Sequence, residues 1–310
     1  MNVAQQATDR DALPTDSTTT ADVRPCCTES ARPPTVAAEN TALPGAGGDP
    51  GSDDTPSQSL CVRFVSCGVL VAVAVIVVAL WHLASLLNYP APDVDEAWRA
   101  NRAMALVEHG IPLGTMDAGV FEQFADYWRF PPYVEIWLTS LSMRLFGPTI
   151  HAVRLASWLF GVALLAAIGS ISQQLRGWPA AVIAVLLVGS APSFLLSSHL
   201  GRQDIMVAAV GYGSIALYMR RRATRSMPMS YVVGLLCVLA FELHPNGMIF
   251  GGTVAILHIC DQHYPIKSSL FNAFALGILS GLAMYAMHHI VPNPSTYIAV
   301  TRLGYGSTHT

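Results

Sequence analysis

Charge is what this sequence has least of. Only 12% of its residues are Asp, Glu, Lys or Arg, about half the share usual in a soluble domain. The 17 basic residues form no patch of the kind a phosphate backbone needs, so nucleic acid is excluded as a partner. Cysteine is scarce and poorly placed for cross-linking. Cys26 and Cys27 are adjacent in a polar stretch, and Cys61, Cys67, Cys237 and Cys260 fall in or beside apolar runs. Without a CxxC pair, neither a disulfide framework nor a thiolate metal site is expected, and the cysteines are read as free thiols. No short apolar core follows Met1, so no secretory signal is expected there.

Hydrophobic residues make up 52% of the chain, distributed very unevenly. Residues 1–59 are rich in Thr, Pro, Asp, Ser, Ala and Gly. Such a stretch cannot bury enough apolar area to offset its ordering entropy, which predicts a disordered cytoplasmic tail. The first long apolar run, Cys61 to Leu87, exceeds the roughly 20 residues needed to cross a hydrocarbon core. Trp81 and Tyr89 at its far end suit the aromatic belt. Six further spans are expected at 152–174, 178–196, 205–221, 229–243, 246–261 and 269–290. The fold class is therefore an all-α polytopic membrane protein.

Orientation follows from Arg and Lys near the span ends. Arg220, Arg221, Arg222 and Arg225 crowd one short loop, and Arg176 and Lys267 agree by parity. This places the N-terminus in the cytoplasm and the segments 88–151, 197–204, 244–245 and 291–310 outside, in a multi-pass protein of the plasma membrane. The outer end, 296–310, follows Pro292-Asn293-Pro294; its early stop leaves open a fragment, a truncated product or a minimal form.

The first outer loop, 88–151, is long enough to suggest function. Pro92 and Asp93 mark the start of a helix from Val94 to His109, and Gly110 with Pro112 marks its stop. At helical spacing Asp95, Arg99, Arg102 and Leu106 share one side, opposite Ala97, Ala100, Met104 and Val107. The helix could lie on the membrane with a carboxylate and two guanidiniums in line. Two blander readings compete. Asp93-x-x-Glu96 fits a capping box, and Asp95 with Arg99 fits a plain i,i+4 pair. After the Pro131-Pro132 break, Tyr133 to Phe146 is expected as a second interfacial helix.

The second outer loop, Ser197-Ser198-His199-Leu200-Gly201-Arg202-Gln203-Asp204, sets ionisable groups at the mouth of two helices. Charges at membrane depth are costly and are usually functional or paired. A surface pair between Arg202 and Asp204, with His199 at headgroup level, is the bland alternative. His244-Pro245-Asn246-Gly247 is a tight turn by composition, its histidine either a phosphate or hydroxyl partner or a simple polar loop residue.

The order of these features resembles GT-C glycosyltransferases of the protein O-mannosyltransferase and aminoarabinose transferase type. The likeness covers about residues 62–295, marks 60–295 as a GT-C-like transmembrane module, and rests on several features. Asp95-Glu96 opens an amphipathic helix, and Pro-Pro-Tyr precedes a second helix ending Leu145-Phe146-Gly147. Ala152-Val153-Arg154-Leu155 leads into a span, Arg-x-Asp stands in the second outer loop, and His-Pro-x-Gly lies between later spans. The resemblance implies a core of about seven transmembrane helices, with amphipathic helices in the first extracytoplasmic loop. It implies a polyprenyl- or dolichyl-phosphate sugar donor and inversion at the anomeric carbon. It also places the family's acidic pair on Asp95 and Glu96 and its second-loop acidic residue on Asp204. Two positions depart from the pattern. Phe130 stands where relatives carry Lys or His before the Pro pair, leaving Arg129 as the nearest cation, and Trp98 stands where Tyr is usual.

On this reading Asp95, Glu96 and Asp204 carry catalysis, with Asp95 as base, while Arg202, His199, His244 and Arg129 meet the donor phosphate. A carboxylate must receive the acceptor proton and a cation must hold the leaving phosphate. Asp93-Val94-Asp95 could recruit Mg²⁺ or Mn²⁺ through oxygen ligands, but a metal-free reaction without a cofactor is the expectation. A transporter is disfavoured because the spans hold few charges near their middles. A non-catalytic scaffold is the stronger rival. The transferase reading requires Asp95, Glu96 and Asp204 to converge on one pocket, with Asp95 no more than ~15 Å from Asp204.

Overall fold

A computed structural model describes residues 56–86, 88, 90–118, 131–261 and 268–306, with backbone alone for 56–67, 223 and 303–306. The chain divides into a unit of residues 1–54 and a unit of residues 55–310, and all that follows concerns the second. The tail expected over 1–59 lies outside the described residues up to 55. From Pro56 onward the backbone is already helical, because proline is suited to a first helical position and the apolar run behind it propagates the helix.

Among the described residues every regular element is a helix. Helix α1 spans Pro56–Ser85, α2 Val94–His109 and α3 Tyr133–Phe146. They are followed by α4 Ile150–Arg176, α5 Trp178–Gly189, α6 Pro192–His199 and α7 Asp204–Thr224. The last four are α8 Met227–Leu243, α9 Met248–Cys260, α10 Ser269–Tyr285 and α11 Pro294–Gly306. Helices α1 and α4, and α10 with the wider turn 286–290, are long and apolar enough to cross a membrane. Helices α5 and α6 form a fourth span if taken as one, bent by 66°. Apolar length predicts a single span at 178–196; the break falls at Ser190-Ala191-Pro192, where proline cannot donate to the helix ladder. Helices α8 and α9 are shorter apolar helices at the places expected for the fifth and sixth spans.

Contacts sort the helix ends into two groups. At one end the Arg154 side chain of α4 reaches the carbonyls of Leu86 and Pro90, Glu242 of α8 reaches the start of α3, and His289 reaches Glu242. At the other end Arg222 of α7 pairs with Asp261 after α9, and Arg221 lies buried over the Tyr218 ring. Close backbone approach holds α8 to α10: an added Cβ at Gly234 would strike the backbone of Phe274 and Gly277, and one at Gly277 that of Tyr231. Small residues at such crossings are how helices pack when lipid offers no hydrophobic drive.

Helix α2 adopts the predicted bounds but not the predicted setting. Its guanidiniums do not face outward. Arg99 donates to Glu135 of α3 at 2.8 Å, and Arg102 lies 3.3 Å from Asp117 with its guanidinium over the Trp98 ring. Ala103 and Leu106 pack with Ile136, Met143, Ala152 and Val153. The helix is thus docked on α3 and α4, because the carboxylates that neutralise its arginines lie inside. Burial holds the Glu135 carboxyl above the ordinary glutamate range against the pull of Arg99. Burial also holds Arg102 below the ordinary arginine value, opposed by Asp117.

Candidate functional site

The candidate site forms where the start of α2 meets the start of α7. Two arginine–carboxylate constructions stand side by side there. The first is closed. Arg154 donates to Glu96 through Nε at 2.8 Å and through Nη2 at 2.9 Å, a bidentate pair. It also donates to the carbonyls of Leu86 and Pro90, and Glu96 accepts the backbone N–H of Gly201 at 3.0 Å. Both side chains are only 1% exposed. Glu96 thereby ties the α1–α2 connection, α4 and the loop before α7 together. The capping-box alternative fails at this residue: Asp93 does cap α2, accepting from the N–H of Asp95 at 3.0 Å, but Glu96 turns away to Arg154.

The second construction is open. The Arg202 guanidinium lies 3.0 Å from Asp204, 3.3 Å from Asp95 and 3.7 Å from Asp93. Its side chain is 30% exposed, and those of Asp95 and Asp204 about half exposed. None of the three contacts is aligned as a hydrogen bond, and the buried Arg202 Nε has no hydrogen-bond partner among the described residues. The backbone of this loop is anchored by two side chains: Gly201 donates to Glu96, and the Arg202 carbonyl accepts from Ser157 at 3.2 Å. Of the three carboxylates that the transferase reading brings to one pocket, Asp95 and Asp204 share the Arg202 guanidinium, whereas Glu96 is buried away from it on Arg154.

Other expected residues fall elsewhere. His199 is fully buried rather than at headgroup level. Its Nε2 lies 2.8 Å from His82 Nδ1, and His82 Nε2 lies 2.8 Å from the carbonyl of Gly189. A carbonyl only accepts, so His82 Nε2 carries the proton, and in a neutral ring its Nδ1 accepts from His199. The pair therefore satisfies the carbonyl bared at the break between α5 and α6. His244 is partly exposed, and its Nδ1 accepts from the N–H of Asn246, closing its own turn. Arg129 and Phe130 lie outside the described residues. Among the described residues no group of three or more His, Cys, Asp or Glu side chains is arranged to hold a metal ion.

Two cavities border this end of the bundle. One of about 390 Å³ has apolar walls from Leu164, Val188 and Phe194, with Ser197 and Asp204 among its polar lining. The other, of about 380 Å³, lies between α3, α8 and α10, with Tyr133, Glu242, His288 and His289 in an otherwise mostly apolar lining. Glu242 accepts the N–H groups of Tyr133 and Val134 at 2.7 and 3.2 Å and lies 3.5 Å from His289. Sequence reasoning had given no role to Arg154, Glu135, Glu242 or His289. The signal available for Arg154 and Glu242 was a charge at the end of an apolar run, which a buried partner must neutralise.

Apolar helices that can cross a bilayer, with ionisable groups gathered at their ends, define an all-α polytopic membrane protein. A family model described as dolichyl-phosphate-mannose-protein mannosyltransferase matches residues 131–290, just over half of the chain, and the chain belongs to that family of GT-C-type membrane glycosyltransferases. The matched stretch takes in Arg202, Asp204 and His244 and begins after Asp95 and Glu96. Neither a curated protein nor a solved structure matched the chain.

Proposed function

We propose that the protein transfers a sugar from a polyprenyl phosphate to an acceptor hydroxyl on the extracytoplasmic face, with inversion, and that the open Arg202 cluster is where this occurs. The observation that carries the reading is the meeting of Asp95 and Asp204 on the Arg202 guanidinium. Asp95 is the base. It receives the acceptor proton as the acceptor oxygen bonds to the anomeric carbon, while the bond from that carbon to the phosphate oxygen breaks on the opposite side. Polyprenyl phosphate leaves as an anion, so no acid is required, and Arg202 supplies the compensating charge. Asp204 orients Arg202 or the acceptor. Glu96 is a positioning residue, because its carboxylate is already committed to Arg154 and Gly201. The apolar cavity ending at Asp204 offers a bed for the first isoprene units, and its volume suits a ligand of that size. The Arg220–Arg225 cluster, at the opposite end of α7 from Asp204, faces the cytoplasm by the positive-inside rule, with the N-terminus on the same side and the plasma membrane as location. The reaction needs no metal ion, because the Arg202 guanidinium can itself neutralise the leaving phosphate.

The test is transfer itself. Membranes holding the wild-type chain and a radiolabelled polyprenyl-phosphate mannose should move label to a hydroxyl acceptor or release free sugar. Asp95→Asn should not, while inserting normally. Wild-type turnover in Asp95→Asn would remove Asp95 from the mechanism, and no turnover in either would favour a scaffold.

A further inference from the structure

In-line displacement with inversion sets a distance. The base and the cation on the leaving phosphate must lie on opposite faces of the sugar, and the two catalytic carboxyl groups that flank a sugar in this way in inverting glycosidases stand about 6.5–9.5 Å apart. Here Asp95 and Arg202 are 3.3 Å apart, too close to admit a sugar ring between them. One of them must withdraw before the reaction that the preceding section assigns to this site.

The structure indicates which. The backbone of Asp95 is fixed by the Asp93 cap and by its neighbour Glu96, which is locked to Arg154. The backbone of Arg202 is fixed by Glu96 through Gly201 and by Ser157. Only side chains remain to move. The Arg202 guanidinium is held by three contacts without hydrogen-bond alignment, all partly exposed. Such pairs are weak, whereas a phosphate can take a guanidinium by two parallel hydrogen bonds.

We propose that Arg202 is an exchange latch: it holds Asp95 until the donor phosphate takes the guanidinium, and only then does Asp95 face the acceptor hydroxyl. Donor binding would thus precede exposure of the base, which guards the activated site against premature proton traffic. The proposal rests on the polyprenyl-phosphate reading of this cluster. It makes the carboxylates competitors of the phosphate, so weakening the cluster must strengthen donor binding.

The experiment uses the full chain in nanodiscs with polyprenyl phosphate alone as probe, and reads its dissociation constant. Asp93→Asn keeps an oxygen to cap α2 and removes one competitor, so affinity should rise about two- to five-fold, the range expected for a partly exposed ion pair. Asp204→Asn should act in the same direction and serves if the first variant fails to fold. Arg202→Met should weaken binding by at least about ten-fold, since it removes a charge-assisted contact. Unchanged or weaker binding in both Asn variants, or no binding of the probe to the wild type, would overturn the latch. The transferase reading stands or falls separately, on turnover of the labelled donor by the wild type and by Asp95→Asn.

Discussion

Asp95 and Glu96 are sequence neighbours in regions of opposite physical character. Glu96 faces inward to a bidentate arginine, which is itself tied to the carbonyls of Leu86 and Pro90, and to a buried backbone amide. Asp95 faces outward to an arginine it shares with two other carboxylates at ion-pair distance only. A buried ion pair with all its hydrogen bonds made is rigid, and breaking it leaves an uncompensated charge. A half-exposed cluster without aligned hydrogen bonds is weak and can rearrange. One region fixes the geometry and the other is left able to do chemistry. The difference teaches that, in a membrane protein, adjacency of two acidic residues says little about shared function; the partner each one finds decides it.

The contrast can be broken or sharpened by experiment. Asp95→Asn carries the largest expected effect, a loss of transfer of about 10²–10⁴-fold, with the unfolding temperature in detergent unchanged. Were Asp95→Asn to unfold the protein instead, the open cluster would be structural. Glu96→Gln and Arg154→Met should each cost about 3–5 kcal/mol of stability, because each strands a buried partner. Replacing both with apolar residues of similar volume should recover much of that loss in a denaturant titration. Gly201→Ala comes next. Its Cβ would strike Val153 and press on Glu96, an overpacking worth about 1–3 kcal/mol, read as a lowered melting temperature. Arg202→Met should change stability least, by less than about 1 kcal/mol. A large loss of stability there would erase the distinction between the two regions.

Much of the fold was legible from the amino-acid order. The helices at 94–109 and 133–146 are where Pro92, Asp93, Gly110, Pro132 and Gly147 punctuate the chain, and each later apolar run is helical. Local signals fix such features: proline denies a donor, Asp caps, and glycine allows the left-handed turn found at Gly110. The break at Pro192 is not legible in the sequence, because a proline more than three turns into an apolar run is compatible both with a kink and with a new helix. What finds the freed carbonyl a partner is His82, more than a hundred residues away in sequence.

The site was legible only in part. The sequence alone determined that acidic and basic side chains would gather in the segments opening α2 and α7, since apolar helices expel charge to their ends. Apart from the Arg202–Asp204 pair, which local spacing offers and the fold keeps at 3.0 Å, it did not determine which carboxylate would pair with which cation. Asp95 with Arg99 and Glu96 with the start of α2 were the other local choices, and the fold took neither. Tertiary structure decided that Arg154 claims Glu96, that Glu135 claims Arg99, and that Arg202 is left among three carboxylates. The reason is physical. A local pair on an exposed helix face contributes a few tenths of a kcal/mol, whereas a buried guanidinium must find a carboxylate wherever the chain places one.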